Sequence, residues 1–198
     1  MTPTLVLASA SPRRKRMLEE AGFQVEVMVP AIDDADLSGA ETEPRRWTCT
    51  LAWFKAAQLM RERPALRGQP RLLLAADTMC VLDGAMIGKP ADAAEAESLI
   101  RGFQERAHQV TTGVCIVDLA CGARTLFADT AEVRLGALPP DLLRSHLETG
   151  AWQGKAGGYN LADALAAGWP LEVRGDPTTV MGLPMRRLAP RLSAGVAP

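Results

Sequence analysis

Residues 72–90 read LLLAADTMCVLDGAMIGKP. Five apolar residues in succession (72–76) predict a strand buried on both faces, as in a sheet covered by helices. Asp77-Thr78 follows it. Residues 79–82 and 85–87 then flank Asp83-Gly84, a dipeptide suited to a type I′ turn, so a β-hairpin is predicted. Carboxyl ends of buried strands are where α/β sheets place ligands. Asp77 at such an end can hold a magnesium ion, orient water or accept its proton. A strand-terminal aspartate capping the next turn fits the same pattern.

Outward from this stretch, strand-like and helix-like segments alternate. Residues 4–8 (TLVLA) predict a short buried strand, Ser11-Pro12 opens a helix to about residue 20, and Gly22 stops it. Residues 23–29 alternate like a second strand, and 44–63 form a long helix. Residues 91–106 are helical with an acidic start suited to the helix dipole. Two long strands, 109–118 and 125–135, join through Cys121-Gly122. Residues 139–149 form a helix closed by Gly150. An irregular glycine-rich stretch (153–168), a strand at 171–174 and a short final helix complete the chain. The alternation predicts an α/β protein with a mixed central sheet and flanking helices. The loose stretch 63–71 reads as a surface loop, so residues 1–198 form a single domain, with length enough for two lobes sharing a cleft.

The 22 Lys+Arg balance 23 Asp+Glu for a net charge of −1, and 47% of residues are hydrophobic. That composition excludes disorder and a nucleic-acid coat, which needs excess cations. No apolar run approaches the ~20 residues of a membrane span. The amino terminus does not read as a secretory signal, because its cations follow a short apolar run instead of preceding a long one. A cytoplasmic protein is expected. Cys49, Cys80, Cys115 and Cys121 form no CxxC pair and no metal-like spacing with His108 and His146, so reduced thiols are expected. The tryptophans read as packing residues, and Asp163 and Asp176 as turn or cap residues.

The residues 9–16, SASPRRKR, place Ser11 at an N-cap and Pro12 at the first helical position. Four cations follow, against the helix dipole. An anion docking there explains them: Ser9, Ser11, Arg13 and Arg14, with free backbone N–H groups, would cradle phosphate. A solvated basic turn is the other reading. Lys55 lies four residues from Leu51 and from Leu59, in an apolar row of its helix. It is either a snorkelling stem or an ammonium aimed into a cleft. Lys89 in Gly88-Lys89-Pro90 is held extended by the proline and can project back toward Asp77. Asp33, Asp34 and Asp36 are a divalent-cation candidate or a solvated loop. No nucleophile–histidine pairing is evident. The set favours a polyanionic substrate with a divalent metal over acyl transfer.

Six stretches together resemble the Maf (septum formation inhibitor) proteins: LASASPRRKRML (7–18), LAWFKA (51–56), AADTMCVLDGAMIGKP (75–90), HQVTTGV (108–114), KAGGYNL (155–161) and GDPTTVMGLPM (175–185). They stand in the family's order over nearly the whole chain. The resemblance implies a cytoplasmic nucleoside triphosphate pyrophosphatase, cleaving an NTP to the monophosphate and pyrophosphate. It further implies a fold related to the inosine triphosphate pyrophosphatases, a homodimer, dependence on Mg2+ or Mn2+, and association with nucleotide house-cleaning and septum formation.

Carried over by position, the resemblance makes Asp77 the proton acceptor and Lys55 and Lys89 active-site lysines. Ser9, Arg13 and Arg14 become the phosphate-binding turn, and Arg13, Thr78 and Ala162 positions tied to base selection. Asp77 with Asp34 would hold the metal, Asp33-Asp34 standing where the family often has glutamate. Two departures are visible. Leu161-Ala162-Asp163 replaces the isoleucine-glutamine-glycine of the pyrimidine-type branch, and an alanine methyl cannot offer a base the hydrogen bonds of an amide. Asp176-Pro177 is closer to the branch acting on 7-methylated guanosine triphosphate. A nucleotide-sensing regulator of division without hydrolysis, and a nucleotidyltransferase, are the rival readings.

Overall fold

Three long strands organise the molecule: β3 (Leu72–Leu82), β5 (Arg106–Asp118) and β6 (Arg124–Leu135). They pair antiparallel along their whole length, from Leu72 opposite Asp118 to Val81 opposite Gln109, and from Arg106 opposite Leu135 to Val117 opposite Arg124. The computed structural model describes residues 4–31 and 43–194. Around the three strands, β1 (Leu5–Leu7), β2 (Val25–Val27), β4 (Ala85–Ile87) and β7 (Leu171–Arg174) complete an open seven-stranded sheet. Its order is β2-β1-β3-β5-β6-β7, with β4 beside β3. β1 is parallel to β2 and to β3, and the other pairs are antiparallel. The mixed α/β sheet expected from the sequence is present.

β3 does not end at Ala76, as the apolar run implied; it continues six residues further because β5 hydrogen-bonds alongside it throughout. Its other edge is paired only in part. β1 covers it at Leu73 and Leu74, and β4 covers it from Cys80 to Leu82. A notch is left between them, and Asp77 and Thr78 lie in it. Asp77 is therefore a mid-strand residue at a gap in an edge, not a residue past a strand end. The β3–β4 turn has Asp83 at φ 51° and Gly84 at φ 78°, the pair of positive angles a type I′ turn requires.

The flanking helices are α1 (Pro12–Glu20), α2 (Pro44–Glu62), α3 (Ala93–Phe103), α4 (Pro140–Glu148), α5 (Leu161–Ala166), α6 (Pro177–Val180) and α7 (Met185–Ala194). α3 stops earlier than its sequence pattern, since Glu105 takes φ 56° and Arg106 already belongs to β5. The stretch 153–168 is more ordered than its glycines suggested. It holds a 3-10 turn, Ala156–Gly158, and α5, whose N-cap Asn160 accepts from the Ala162 N–H. The single final helix resolves into α6 and α7. Asp33, Asp34 and Asp36 lie outside the described residues.

α2 covers one sheet face over a core of Val6, Leu73, Ala75, Cys115 and Val117. On the other face, α1 and α7 cover one cluster that includes Leu7, Leu74, Val114 and Ile116. A second cluster, under α3, α4 and α5, includes Ile100, Phe103, Val110, Val133 and Leu135. A polar row separates the two: Thr78 opposite Thr112, and Thr112 opposite Asp129. One face of the sheet thus carries two apolar clusters. No helix among the described residues is long and apolar enough to cross a membrane. Cys80 and Cys115 are buried, Cys121 is exposed, and all four thiols are free.

A Cβ at Gly113 would lie 2.3 Å from the Thr48 carbonyl carbon and 2.4 Å from the Cys49 nitrogen, backbone atoms of α2. Gly113→Ala should therefore destabilise by roughly 1–3 kcal/mol or more in urea unfolding. Gly102→Ala, in α3 with open space around it, should stabilise by roughly 0.5–1 kcal/mol. Equal effects of the two changes would contradict the packing. His108 is 2% exposed, and burial lowers its pKa from 6.5 to about 4. Between those values the unfolded chain binds the extra proton, so stability falls as pH drops through the window. This residue alone contributes up to about 3 kcal/mol of that fall. In His108→Phe the decline of unfolding free energy from pH 6.5 to 4.5 should be visibly shallower.

Candidate active site

The notch opens into a pocket of about 260 Å3. Arg13 reaches it from the start of α1, Lys55 from α2, Asp77 and Thr78 from β3, Lys89 from the segment after β4, and Lys155 from the loop before the 3-10 turn. Cys80, His108, Val110, Tyr159, Leu161, Val180 and Met181 also line it. One part is thus cationic and another apolar, divided along the strand direction.

The turn after β1 forms as its sequence predicts. Ser11 is the N-cap of α1, its hydroxyl accepting from the Arg14 N–H at 3.5 Å, and Pro12 opens the first turn. The Ser9 hydroxyl accepts from the Ser11 N–H at 3.2 Å. These bonds shape the turn, and they engage N–H groups that the sequence offered as free for phosphate. Ser11 and Arg13 line the pocket, whereas Ser9 stands behind them and is not part of its lining.

Arg14 has turned inward. Its Nε donates to the Gly182 carbonyl (2.9 Å), its Nη1 to the Ala76 carbonyl (2.9 Å) and the Ser9 hydroxyl (3.1 Å), and its Nη2 to Thr78 Oγ1 (3.1 Å). Four of the five N–H donors of a guanidinium are held by the protein itself. Burial lowers the pKa of the group, the Asp77 charge opposes that, and Arg13 adds to it. A guanidinium nonetheless stays charged in proteins. Arg14 ties α1, β3 and the Gly182 loop together, and it also lines the pocket beside Arg13.

Thr78 extends that tie across the sheet. Thr112 donates its hydroxyl hydrogen to the Thr179 carbonyl at 2.7 Å, so the 2.8 Å contact between Thr78 and Thr112 has Thr78 as donor. Thr179 in turn donates to Asp129 at 2.6 Å, and Arg187 pairs with the same carboxylate at 3.2 Å. The Thr78 hydroxyl hydrogen is therefore committed to the sheet, although its side chain lines the pocket.

Lys55 Nζ stands 2.5 Å from Asp77 Oδ1, with the two side chains 17% and 14% exposed. The apolar row of α2 that flagged Lys55 is what carries it over β3 to this carboxylate. Lys89 follows β4 where its antiparallel register with β3, Ile87 opposite Cys80, would next bring it level with Thr78. The Gly88 carbonyl accepts from the Gly157 N–H at 2.9 Å, fixing this segment to the 3-10 turn.

Three groups escaped the sequence reading. Lys155 lines the pocket and pairs with Asp163 at 3.2 Å. Partial burial raises the Asp163 pKa, but hydrogen bonds from Asn160 and Lys155 and the charges of Lys155 and Arg13 outweigh it, holding the carboxyl below its ordinary range. His108 and Tyr159, 51 residues apart, meet at 2.8 Å between Nε2 and the phenol oxygen. All three lie in stretches that carry the resemblance, Lys155 and Tyr159 in KAGGYNL and His108 in HQVTTGV, but the sequence singles out none of them as a site residue.

Ala162 is exposed and outside the pocket lining, where its neighbours Asn160 and Leu161 stand instead. Asp176 is 7% exposed. It caps α6, accepting from the N–H and hydroxyl of Thr178 and from the Arg186 N–H. The Asp176-Pro177 motif thus organises a helix start and does not line the pocket.

Residues 4–194 match the family model for Maf-like protein. A Salinibacter ruber protein named dTTP/UTP pyrophosphatase is 34% identical over 193 residues, covering 98% of this chain and 91% of its own length. A Mycobacterium protein named nucleoside triphosphate pyrophosphatase is 35% identical over 206 residues, covering 99% and 97%. A dTTP/UTP pyrophosphatase of Pelotomaculum thermopropionicum is 35% identical over 190 residues, covering 95% and 94%. With both the family model and these relatives spanning nearly its whole length, the chain belongs to the Maf-like protein family.

Proposed function

We propose that this protein hydrolyses a nucleoside triphosphate to the monophosphate and pyrophosphate at the notch beside β3. The observation that carries the reading is the Lys55–Asp77 pair, a carboxylate and an ammonium at 2.5 Å in a pocket also lined by Arg13, Lys89 and Lys155. Arg14 also lines the pocket, and a carboxylate among five cations suits a polyanion that must meet one base. The names of the relatives, dTTP/UTP pyrophosphatase and nucleoside triphosphate pyrophosphatase, support the same reaction.

Water attacks the α-phosphorus, a new O–P bond forms, and the bond from that phosphorus to the bridging oxygen breaks. Asp77 takes the proton of the water. Lys55 holds the carboxylate in one orientation through Oδ1. Arg13, Lys89 and Lys155 bind the phosphate oxygens and stabilise the charge that develops on the departing pyrophosphate, the larger contribution in phosphoryl transfer. Arg14 acts through the backbone, keeping the turn and β3 in register.

A divalent cation fits the donors present. Magnesium binds through one or two carboxylates plus substrate phosphates, and Asp77 beside a bound triphosphate supplies that set. No group of three or more His, Cys, Asp or Glu side chains that could hold a metal by themselves occurs among the described residues, so substrate oxygens would complete the coordination. The ion would neutralise phosphate charge and acidify water. Asp34, from the sequence pattern, is the second candidate ligand. Family membership alone supports a cytoplasmic homodimer with a house-cleaning role and a link to septum formation.

Asp77→Asn should retain the fold, by unchanged circular dichroism, and lose pyrophosphate release by roughly 100-fold or more. Near wild-type turnover would exclude Asp77 as the base. Lys89→Ala should weaken binding of a triphosphate more than of a monophosphate, measured by calorimetry with Asp77→Asn as background. A wild-type protein that binds NTPs in a thermal-shift assay without releasing pyrophosphate would favour the nucleotide-sensing reading.

A further inference from the structure

The apolar part of the pocket contains one polar couple that the proposed chemistry does not use. His108, on β5, is 2% exposed. Its Nε2 lies 2.8 Å from the Tyr159 phenol oxygen, and its ring centroid is 4.3 Å from that of Phe103. Its Nδ1 is buried without a hydrogen-bond partner among the described residues. Burial lowers the imidazole pKa to about 4, so the ring is neutral near pH 7 and carries one hydrogen. Burial also raises the Tyr159 pKa, so the phenol keeps its hydrogen.

The position of the imidazole hydrogen decides what the pair presents to a ligand. Were Tyr159 the donor, the histidine hydrogen would sit on Nδ1 as a buried donor with no acceptor, the kind of orphan that is the rarer among backbone groups. With the hydrogen on Nε2, His108 donates to the phenol oxygen and the orphan is a lone pair. The phenol oxygen is then occupied as an acceptor, and its own hydrogen is released toward the pocket that Tyr159 lines. Cys80 nearby remains a thiol, its pKa pushed up to about 12 by burial. This end of the pocket therefore offers hydrogen-bond donors.

We propose that the Tyr159 hydroxyl, oriented by His108, reads the base of the bound nucleotide by donating to the carbonyl oxygen that distinguishes a keto base from an amino base. This rests on the nucleotide reading above. It commits the site to uracil-, thymine-, guanine- or hypoxanthine-type nucleotides over cytosine- and adenine-type ones. The register supports the placement. Val81 is opposite Gln109, so His108 lies level with Leu82, five residues beyond Asp77 and about 16 Å further along the sheet. The couple thus meets the edge of the base remote from the phosphates. Tyr159 touches substrate, and His108 is a positioning residue. An amino group at that edge would face a donor across a desolvated gap, the mismatch for which sites built on hydrogen bonds discriminate most strongly.

The test is kcat/KM for UTP against CTP and for GTP against ATP, in the wild type and in Tyr159→Phe. The expected wild-type ratios are tenfold or more in favour of the keto base, falling to within about twofold in Tyr159→Phe through loss on the keto substrates alone. His108→Phe should lower the ratios while raising KM for UTP more than it changes kcat. Ratios near one in the wild type, or ratios kept in Tyr159→Phe, overturn the proposal. A readout independent of any variant is 4-thio-UTP, whose sulfur is a poor acceptor: the wild type should turn it over severalfold less efficiently than UTP, and parity overturns the proposal. Absence of pyrophosphate from all four nucleotides would defeat the hydrolase reading instead. Thermal shifts with UTP and CTP would then still decide the base preference, equal shifts overturning it.

Discussion

The unpaired length of β3 between Leu74 and Cys80 is the constraint on which the rest depends. β5 satisfies one edge of the strand throughout, but β1 arrives parallel and stops, and β4 returns antiparallel and begins later. Exposed backbone groups in such a gap must find partners or water. The Ala76 carbonyl finds Arg14. Filling the gap with a side chain from α1 instead of another strand leaves room for a ligand. Four separate chain segments meet there, and Asp77 from β3, Lys55 from α2, Arg13 from α1 and Lys89 from the segment after β4 line one pocket.

The polar row through Thr78, Thr112 and Asp129 is the second consequence. Three strands that continue past the notch need helices at both ends, and those helices cannot meet above it without closing the pocket. Apolar side chains in that row would merge the two clusters. Hydroxyls instead form a chain of donors with one direction, from Arg14 through Thr78 and Thr112 to the Thr179 carbonyl. Every member is satisfied, the condition under which a buried polar network rigidifies a fold. Gly182, at φ 107°, receives Arg14 Nε on its carbonyl, and an added Cβ there would come within 3.1 Å of that nitrogen. The loop, Arg14 and the row are therefore fixed together.

Local chemistry was legible in the sequence and long-range pairing was not. Asp83-Gly84 named its turn, Ser11-Pro12 named the start of α1, and the spacing of Leu51, Lys55 and Leu59 placed a lysine among apolar neighbours, because each signal lies within a few residues. That β3 runs through Asp77 was hidden, since the decision belongs to β5, more than 30 residues away. The role of Arg14 was obscured by its three basic neighbours, although its spacing of three and four from the buried Met17 and Leu18 marks the inward face. His108 and Tyr159 each lie in a motif that carries the family resemblance, but nothing local pairs them. Their partnership exists only once α3, β5 and the segment after residue 155 enclose one cluster.

Three of the four consecutive cations at the start of α1 divide their tasks, which explains why they tolerate the wrong pole of the helix dipole. Lys15 lies 3.5 Å from Glu19 on the surface. Arg13 and Arg14 both line the pocket, Arg14 with its guanidinium turned onto the Ala76 carbonyl. The acceptors that hold Arg14 are carbonyl and hydroxyl oxygens, all neutral. They satisfy its hydrogen bonds without cancelling its charge, and the nearby Asp77 is already paired with Lys55. A positive field is thereby built into a partly desolvated notch and held by bonds that need not break when a ligand arrives. Such preorganised charge acts more strongly than the same charge in water. A chain of net charge −1 in this way maintains a site for a polyanion: its overall balance governs its behaviour in solution, while the neutral oxygens around one half-buried guanidinium decide where its positive charge is effective.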